Sequence, residues 1–192
     1  MLRQTTRFLV LAVTLVLTGL LAAPPALSDI ELFGGNPLLD AIKGNNARQV
    51  ELLLARGENA ETEDFDGRRP LIYAAQLGNA DIIDILMRYS VTPNHRDKLG
   101  NSALFYAASA GYVDVVEMLI GAGAKADLEN RRGLTPLIAA ASHGHLHVVE
   151  TLLARGADAA RRDYTGRTAL MWAEWNRRSA VVAALRGAGV RE

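Results

Sequence analysis

The sequence predicts an all-α solenoid of five helix-turn-helix units with short hairpin turns, preceded by a signal-peptide helix. Three observations predict it. Apolar columns recur every 33 residues: Leu38, Leu71, Leu104, Leu137 and Leu170, then Ala41, Ala74, Ala107, Ala140 and Ala173, then Leu53, Leu86, Leu119, Leu152 and Leu185. A fixed period of this size marks a supersecondary unit that buries its apolar face on its neighbours. Glycines keep the same register, Gly67, Gly100, Gly133 and Gly166 at tight turns and Gly57, Gly123, Gly156 and Gly189 where a helix closes. Finally, a capping residue precedes most first helices, in Asn36-Pro37, Ser102-Ala103, Thr135-Pro136 and Thr168-Ala169. Asn, Ser and Thr accept from an unpaired N–H group, and Pro at the first helical position gives up a donor that had no partner.

Residues 1–28 read as a secretory signal peptide. Arg3 and Arg7 precede an uncharged apolar run from Phe8 to Ala23, followed by Pro24-Pro25. The run is shorter than the ~20 residues needed to cross a bilayer, and the proline pair stops a helix there. Ala26-Leu27-Ser28 places cleavage after Ser28. An uncleaved membrane anchor is the alternative. Residues 29–192 form the repeat domain, with units at about 34–63, 64–96, 97–129, 130–162 and 163–192.

The second unit sets the pattern for the rest. Asp64 to Pro70 is turn-like, Leu71 to Leu77 has helical apolar spacing, and Gly78 interrupts it. Asn79-Ala80-Asp81 supplies capping groups for a second helix through Ile82, Ile83, Ile85 and Leu86 that ends near Ser90. Arg69 stands where the other units carry a capping residue, so this end is expected to fray or to be capped by Asp66. Helices this short do not persist alone, since even ~12–15 residues are marginal in water, so stability must come from stacking. The alanine column lets first helices approach, and Val50, Ile83, Val116, Val149 and Val182 join the leucines between the two layers.

These residues resemble the ankyrin repeat family. Gly133-Leu134-Thr135-Pro136-Leu137 matches its Gly-x-Thr-Pro-Leu signature, and Gly144-His145-Leu146-His147-Val148-Val149 its Gly-His-Leu-x-x-Val-Val. The resemblance runs from about Asn36 to Val190 and implies an L-shaped stack of paired antiparallel helices with projecting hairpins, used to grip another protein. The histidine that usually follows the signature leucine is replaced by Leu39, Ile72, Phe105, Ile138 and Met171, which removes the family's Thr-to-His hydrogen bond. Arg177-Arg178 in the last unit looks like a capping repeat that turns a charged edge to water.

By family register, the residues facing outward from the hairpin tips and first helices are the candidate partner-binding stripe. They are Phe65, Asp66, Arg68, Gln76 and Leu77, then Lys98, Leu99, Asn101 and Ser109. Arg131, Arg132, Leu134, Ser142 and His143 continue it, and Tyr164, Thr165, Arg167, Trp175 and Asn176 end it. Aromatic anchors mixed with arginine are the composition of binding hot spots. The competing reading is that Phe65, Leu99, Leu134 and Tyr164 pack on neighbouring turns to align the hairpins. Tyr73, Tyr106 and Trp172 fall in a column that the family fills with apolar core.

Composition narrows the function classes. The 21 basic and 21 acidic residues balance, which gives no reason to expect the phosphate-driven affinity of a nucleic-acid binder. The chain has no cysteine, which excludes disulfides, thiolate nucleophiles and zinc-thiolate sites and suits an oxidising compartment. Arginine greatly outnumbers lysine beside heavy alanine use, the habit of a bacterium with a GC-rich genome, which favours the periplasm as the destination, with secretion by a eukaryotic route the alternative. His143, His145 and His147 are the one candidate metal group, but His145 is the family's ordinary loop histidine. Their imidazoles are expected to diverge, with no carboxylate at helical ligand spacing. There is no Gly-x-Ser-x-Gly elbow, phosphate loop or dinucleotide fingerprint.

The reading is therefore a monomeric, non-enzymatic exported module. It needs no cofactor and binds a protein partner through hairpin tips and the concave first-helix face, supporting or inhibiting a periplasmic enzyme. The rivals are a membrane-tethered scaffold held by the uncleaved N-terminal run, and a histidine-based metal-dependent protein.

Overall fold

The computed structural model describes residues 35–189, so the signal-peptide reading and the Phe8–Ala23 run lie outside the described residues. Ten helices follow in pairs: α1 Pro37–Lys43 and α2 Ala47–Ala55, α3 Pro70–Leu77 and α4 Ala80–Met87, α5 Ala103–Ala110 and α6 Val113–Gly121. The last two pairs are α7 Pro136–His143 with α8 Leu146–Ala154, and α9 Ala169–Trp175 with α10 Ser179–Gly187. Among the described residues there is no strand, and no helix is long and apolar enough to cross a membrane.

The caps follow the sequence reading at four of the five first helices. Asn36, Ser102, Thr135 and Thr168 each accept from the N–H three residues on, at 3.0, 3.2, 3.2 and 3.3 Å. At the α3 start Arg69 makes no side-chain cap, as the sequence reading expects, but Asp66 does not cap it in its place. Arg69 instead pairs with Glu61 and, at 2.8 Å, with Glu63, while Asp66 lies 3.5 Å from Arg68. Pro70 at the first helical position lowers the need for a cap there. Helix α4 also stops sooner than Ser90, because Arg88 and Tyr89 donate three residues back, to Ile85 and Leu86, and Ser90 turns to positive φ.

The units stack in two layers. First helices α1, α3, α5, α7 and α9 pack in series, second helices do the same, and each first helix packs on its own second helix. The repeated columns make the seam between layers. Ala74, Ala107, Ala140 and Ala173 are fully buried, as are Leu104, Leu86, Leu119, Leu152 and Leu185. Removing side-chain bulk at the alanine column lets neighbouring first helices lie closer than neighbouring second helices. Val182, in the last unit, is only half-buried.

Candidate functional site

Each hairpin is organised by one Asp or Asn at the 33-residue period. Asp64 accepts from the N–H groups of Asp66 and Arg68, Asp97 from Leu99 and Asn101, Asn130 from Arg132 and Leu134, and Asp163 from Thr165 and Arg167, all at 2.8–3.0 Å. A backbone bond closes each loop, as from Asp97 N to Asn101 O at 3.0 Å. Successive tips are then tied by single backbone bonds: Lys98 N to Asp66 O at 2.8 Å, Arg131 N to Leu99 O at 3.1 Å and Tyr164 N to Arg132 O at 3.1 Å. The tips are thus aligned through main-chain groups.

The second carboxylate oxygen of each Asp holds an aromatic donor from the first helix nine residues on. Tyr73 donates to Asp64 at 2.5 Å, Tyr106 to Asp97 at 2.6 Å and the Trp172 indole to Asp163 at 2.8 Å. These rings were expected to be apolar core. They do pack on the core, but as half-buried latches with bonded polar tips. Burial pushes the Tyr73 and Tyr106 hydroxyls up, and the aspartate each one meets pushes them further. Burial also pushes the Asp64 and Asp163 carboxyls up, yet the donors around them outweigh it and hold both below the usual range.

Within the predicted stripe, side chains separate into free and structural. Phe65 is 96% exposed, Tyr164 72%, Trp175 70% and Leu99 60%. Together with Leu77 they make five of the seven large apolar side chains exposed among the described residues, the others being Leu52 and Tyr112. Asp66, Gln76, Lys98, Arg131, Arg132, His143 and Thr165 are also exposed. Asn101 corrects the expectation, since it is 7% exposed. Its amide donates to the Tyr106 hydroxyl and its oxygen accepts from Asn130, which makes it a strut between hairpins.

Arg68 is half-buried, with its guanidinium 5.9 Å from the Tyr73 ring and 3.9 Å from Asp97. Arg167 stacks between Trp172 and Trp175, at 5.1 and 5.0 Å from their ring centres. Asn176 donates to Ser142 at 3.3 Å. The Tyr164 ring lies against Gly133, where a Cβ would come within 2.6 Å of it and where φ is +75°. Only glycine fits under that ring. Tyr164 and the half-buried Leu134 therefore partly support their neighbours, whereas Phe65 stands almost wholly in solvent.

The histidine group also differs from expectation. The His143 and His145 rings are stacked, 6.0 Å apart and 9° from parallel, and Glu150 stands three residues after His147, accepting from it at 3.2 Å. One nitrogen of each ring is nevertheless spent locally. His143 donates to the Ala139 carbonyl at 2.9 Å, and His145 bridges to the Ser109 carbonyl of the preceding unit at 3.0 Å, its ring filling the space a Cβ at Gly111 would take. No group of three or more potential metal ligands converges among the described residues.

Charge is divided between the two layers. The stripe carries the basic residues Arg68, Lys98, Arg131, Arg132 and Arg167 against one outward carboxylate, Asp66. The hairpin aspartates Asp64 and Asp163 sit below the tips with both oxygens accepting. The second helices show the reverse: Glu51, Asp81, Asp84, Asp114, Glu117 and Glu150 are exposed, against Arg48 and Arg186. Arginines at the ends of the second helices offset part of this, since Arg88 pairs with Glu51 and Asp84.

Five stripe residues, Ser109, Arg132, Leu134, Ser142 and His143, come together around a groove of about 340 Å³ with Phe105, Ile138, Ala139 and Trp172. A family model described as ankyrin repeats (3 copies) matches residues 38–130 and, again, 104–191. The chain belongs to the ankyrin repeat family. Among curated proteins no match was found. Ankyrin arrays are protein–protein interaction modules, and the paired helices and tied hairpins described above are the framework of one. The latch column was open to reading in this sequence, because Asp64, Asp97 and Asp163 each precede Tyr73, Tyr106 and Trp172 by nine residues.

Proposed function

We propose that this ankyrin stack is an exported, monomeric adaptor that holds a protein partner against the face made by its hairpins and first helices, and so supports or inhibits a periplasmic enzyme. One observation carries the reading: Phe65, Leu77, Leu99, Tyr164 and Trp175 are exposed on this face among basic side chains, Phe65 almost wholly so. Large apolar side chains left in water are costly unless something covers them, and Trp, Tyr and Arg concentrate binding energy at interfaces. The stack is long enough to present the ~800 Å² per partner of a standard interface. Export rests on Arg3, Arg7, the Phe8–Ala23 run and Pro24-Pro25, and the absence of cysteine accords with an oxidising destination.

The test is co-purification from the periplasmic fraction of the source cells with the Phe65, Tyr164 and Trp175 side chains together cut to Ala. Loss of the partner with unchanged helical circular dichroism is expected. Retention of the same partner at wild-type yield would overturn the assignment of the face. Mass spectrometry of the exported protein is expected to find an N-terminus at Asp29, and an intact chain bearing Met1 would replace export by a membrane tether.

A further inference from the structure

The latch column is interrupted within the stack. Tyr73, Tyr106 and Trp172 share one 33-residue register, in which the first unit has Asp40 and the position between Tyr106 and Trp172 is Ala139. Its hairpin partner has changed in step. Asn130 replaces the aspartate, spends its oxygen on the N–H groups of Arg132 and Leu134, and turns its amide to Asn101 at 2.9 Å. No oxygen is left there to receive a ring donor. Ala139, 4% exposed, lies at the floor of the 340 Å³ groove together with the buried Phe105 and Ile138, and Trp172 also lines it. A volume near the lower end of the ~300–1,000 Å³ range of ligand pockets suits a single inserted side chain.

The rim supplies the sign of the visitor. Arg132 and His143 are the only groove-lining side chains able to carry charge, and no carboxylate lines it. Lys98 and Arg131 stand exposed on adjacent tips, and Arg178 donates to the Ser142 carbonyl at 3.2 Å on the far side. We propose that the notch at Ala139 receives one apolar anchor, aromatic or long aliphatic, from a partner segment whose flanking residues are acidic. The anchor takes the place of the missing ring between Tyr106 and Trp172, and the flanking carboxylates meet Arg131, Arg132 and Lys98. This deepens the partner-binding reading above and rests on it.

The test uses the 29–192 protein and a set of acidic heptapeptides, Glu and Asp at six positions and each common residue in turn at the centre, read by fluorescence anisotropy at low and moderate salt. Peptides centred on Phe, Trp, Leu or Met are expected to bind at least tenfold more tightly than the Ala-centred one. Ala139→Phe refills the notch without adding a polar tip and fits a column that already holds rings; it is expected to erase that preference. Should that variant melt early, Arg132→Glu, at an exposed rim position, is expected to weaken every acidic peptide at least tenfold. Equal binding of all centres would reduce the site to a charged surface and overturn the anchor. Equal binding of lysine-flanked peptides or an oligonucleotide would overturn the acidic partner, and concentration-dependent self-association that Ala139→Phe abolishes would assign the notch to a second copy. If the natural partner is lost from the Phe65, Tyr164, Trp175 alanine variant but kept by Ala139→Phe, the notch fails while the docking face stands; if both variants keep it, the face itself fails.

Discussion

The hairpin and first-helix face shows Phe65, Leu99, Tyr164 and Trp175 among arginines, whereas the second helices show Glu51, Asp84, Glu117 and Glu150, with Leu52 their one large exposed apolar side chain. Both faces are built on the same buried columns. One therefore learns that the repeat period encodes the interior, while function is written in the positions that the period leaves free. A formal charge of zero over the whole chain says nothing of the local excess of Arg68, Lys98, Arg131, Arg132 and Arg167 along the hairpin stripe. The basic stripe can steer and orient a partner.

The largest expected effect erases the distinction between the faces. Leu104 is fully buried between the layers, and Leu104→Asn should cost about 3–5 kcal/mol by leaving a cavity and an unpaired amide. Urea denaturation checks this, and a loss below about 1 kcal/mol would mean the layers are not jointly stabilised.

Charge reversal sharpens the comparison next. Lys98, Arg131 and Arg132 all changed to Glu should weaken partner binding by about 100-fold at low salt, since like-charge contacts cost several kcal/mol. Asp84, Glu117 and Glu150 changed to Lys should leave it within about threefold, the range of exposed charges outside an interface. Calorimetry with the purified partner distinguishes them, and equal losses would dissolve the contrast.

The latches give a smaller contrast. Tyr106→Phe removes the bonds to Asp97 and Asn101 and should cost about 1–2 kcal/mol, whereas Tyr112→Phe, at a half-open position outside the latch column, should stay within about 0.5 kcal/mol. The same latches set an acid limit. Asp64 and Asp163 are held below their unfolded values, so their contribution is full above about pH 4 and is lost as pH falls through the lowered values. Changing both to Asn should lower stability at pH 7 and flatten its fall below about pH 4 in thermal melts.

The smallest effect separates the end unit from the middle ones. Arg177 holds φ of +56° where Gly78, Gly111 and Gly144 stand in other units. Arg177→Gly should raise stability by roughly 0.5–1 kcal/mol.

Much of this molecule could be read from its residues. The leucine and alanine columns gave the layers because burial repeats with the period, and Asn36, Ser102, Thr135 and Thr168 gave the helix starts because capping is local chemistry. Asn101 was misplaced because family register says which way a position points and not whether its neighbour, here Asn130, reaches across to use it. The stacking of His143 on His145 depends on the angle between a helix end and the following loop, which spacing alone does not set. The notch was missed for another reason: Ala139 sits beside the alanine core column and looks like more of it, and only the rings at Tyr106 and Trp172 show it as a gap.

Hydrogen–deuterium exchange of the 29–192 protein with and without its purified partner tests the central claim most directly. Protection on binding is predicted at the hairpins and the first-helix starts, residues 64–69, 97–102, 130–135 and 163–168. Protection confined to the second helices, residues 80–87, 113–121 and 146–154, would contradict it.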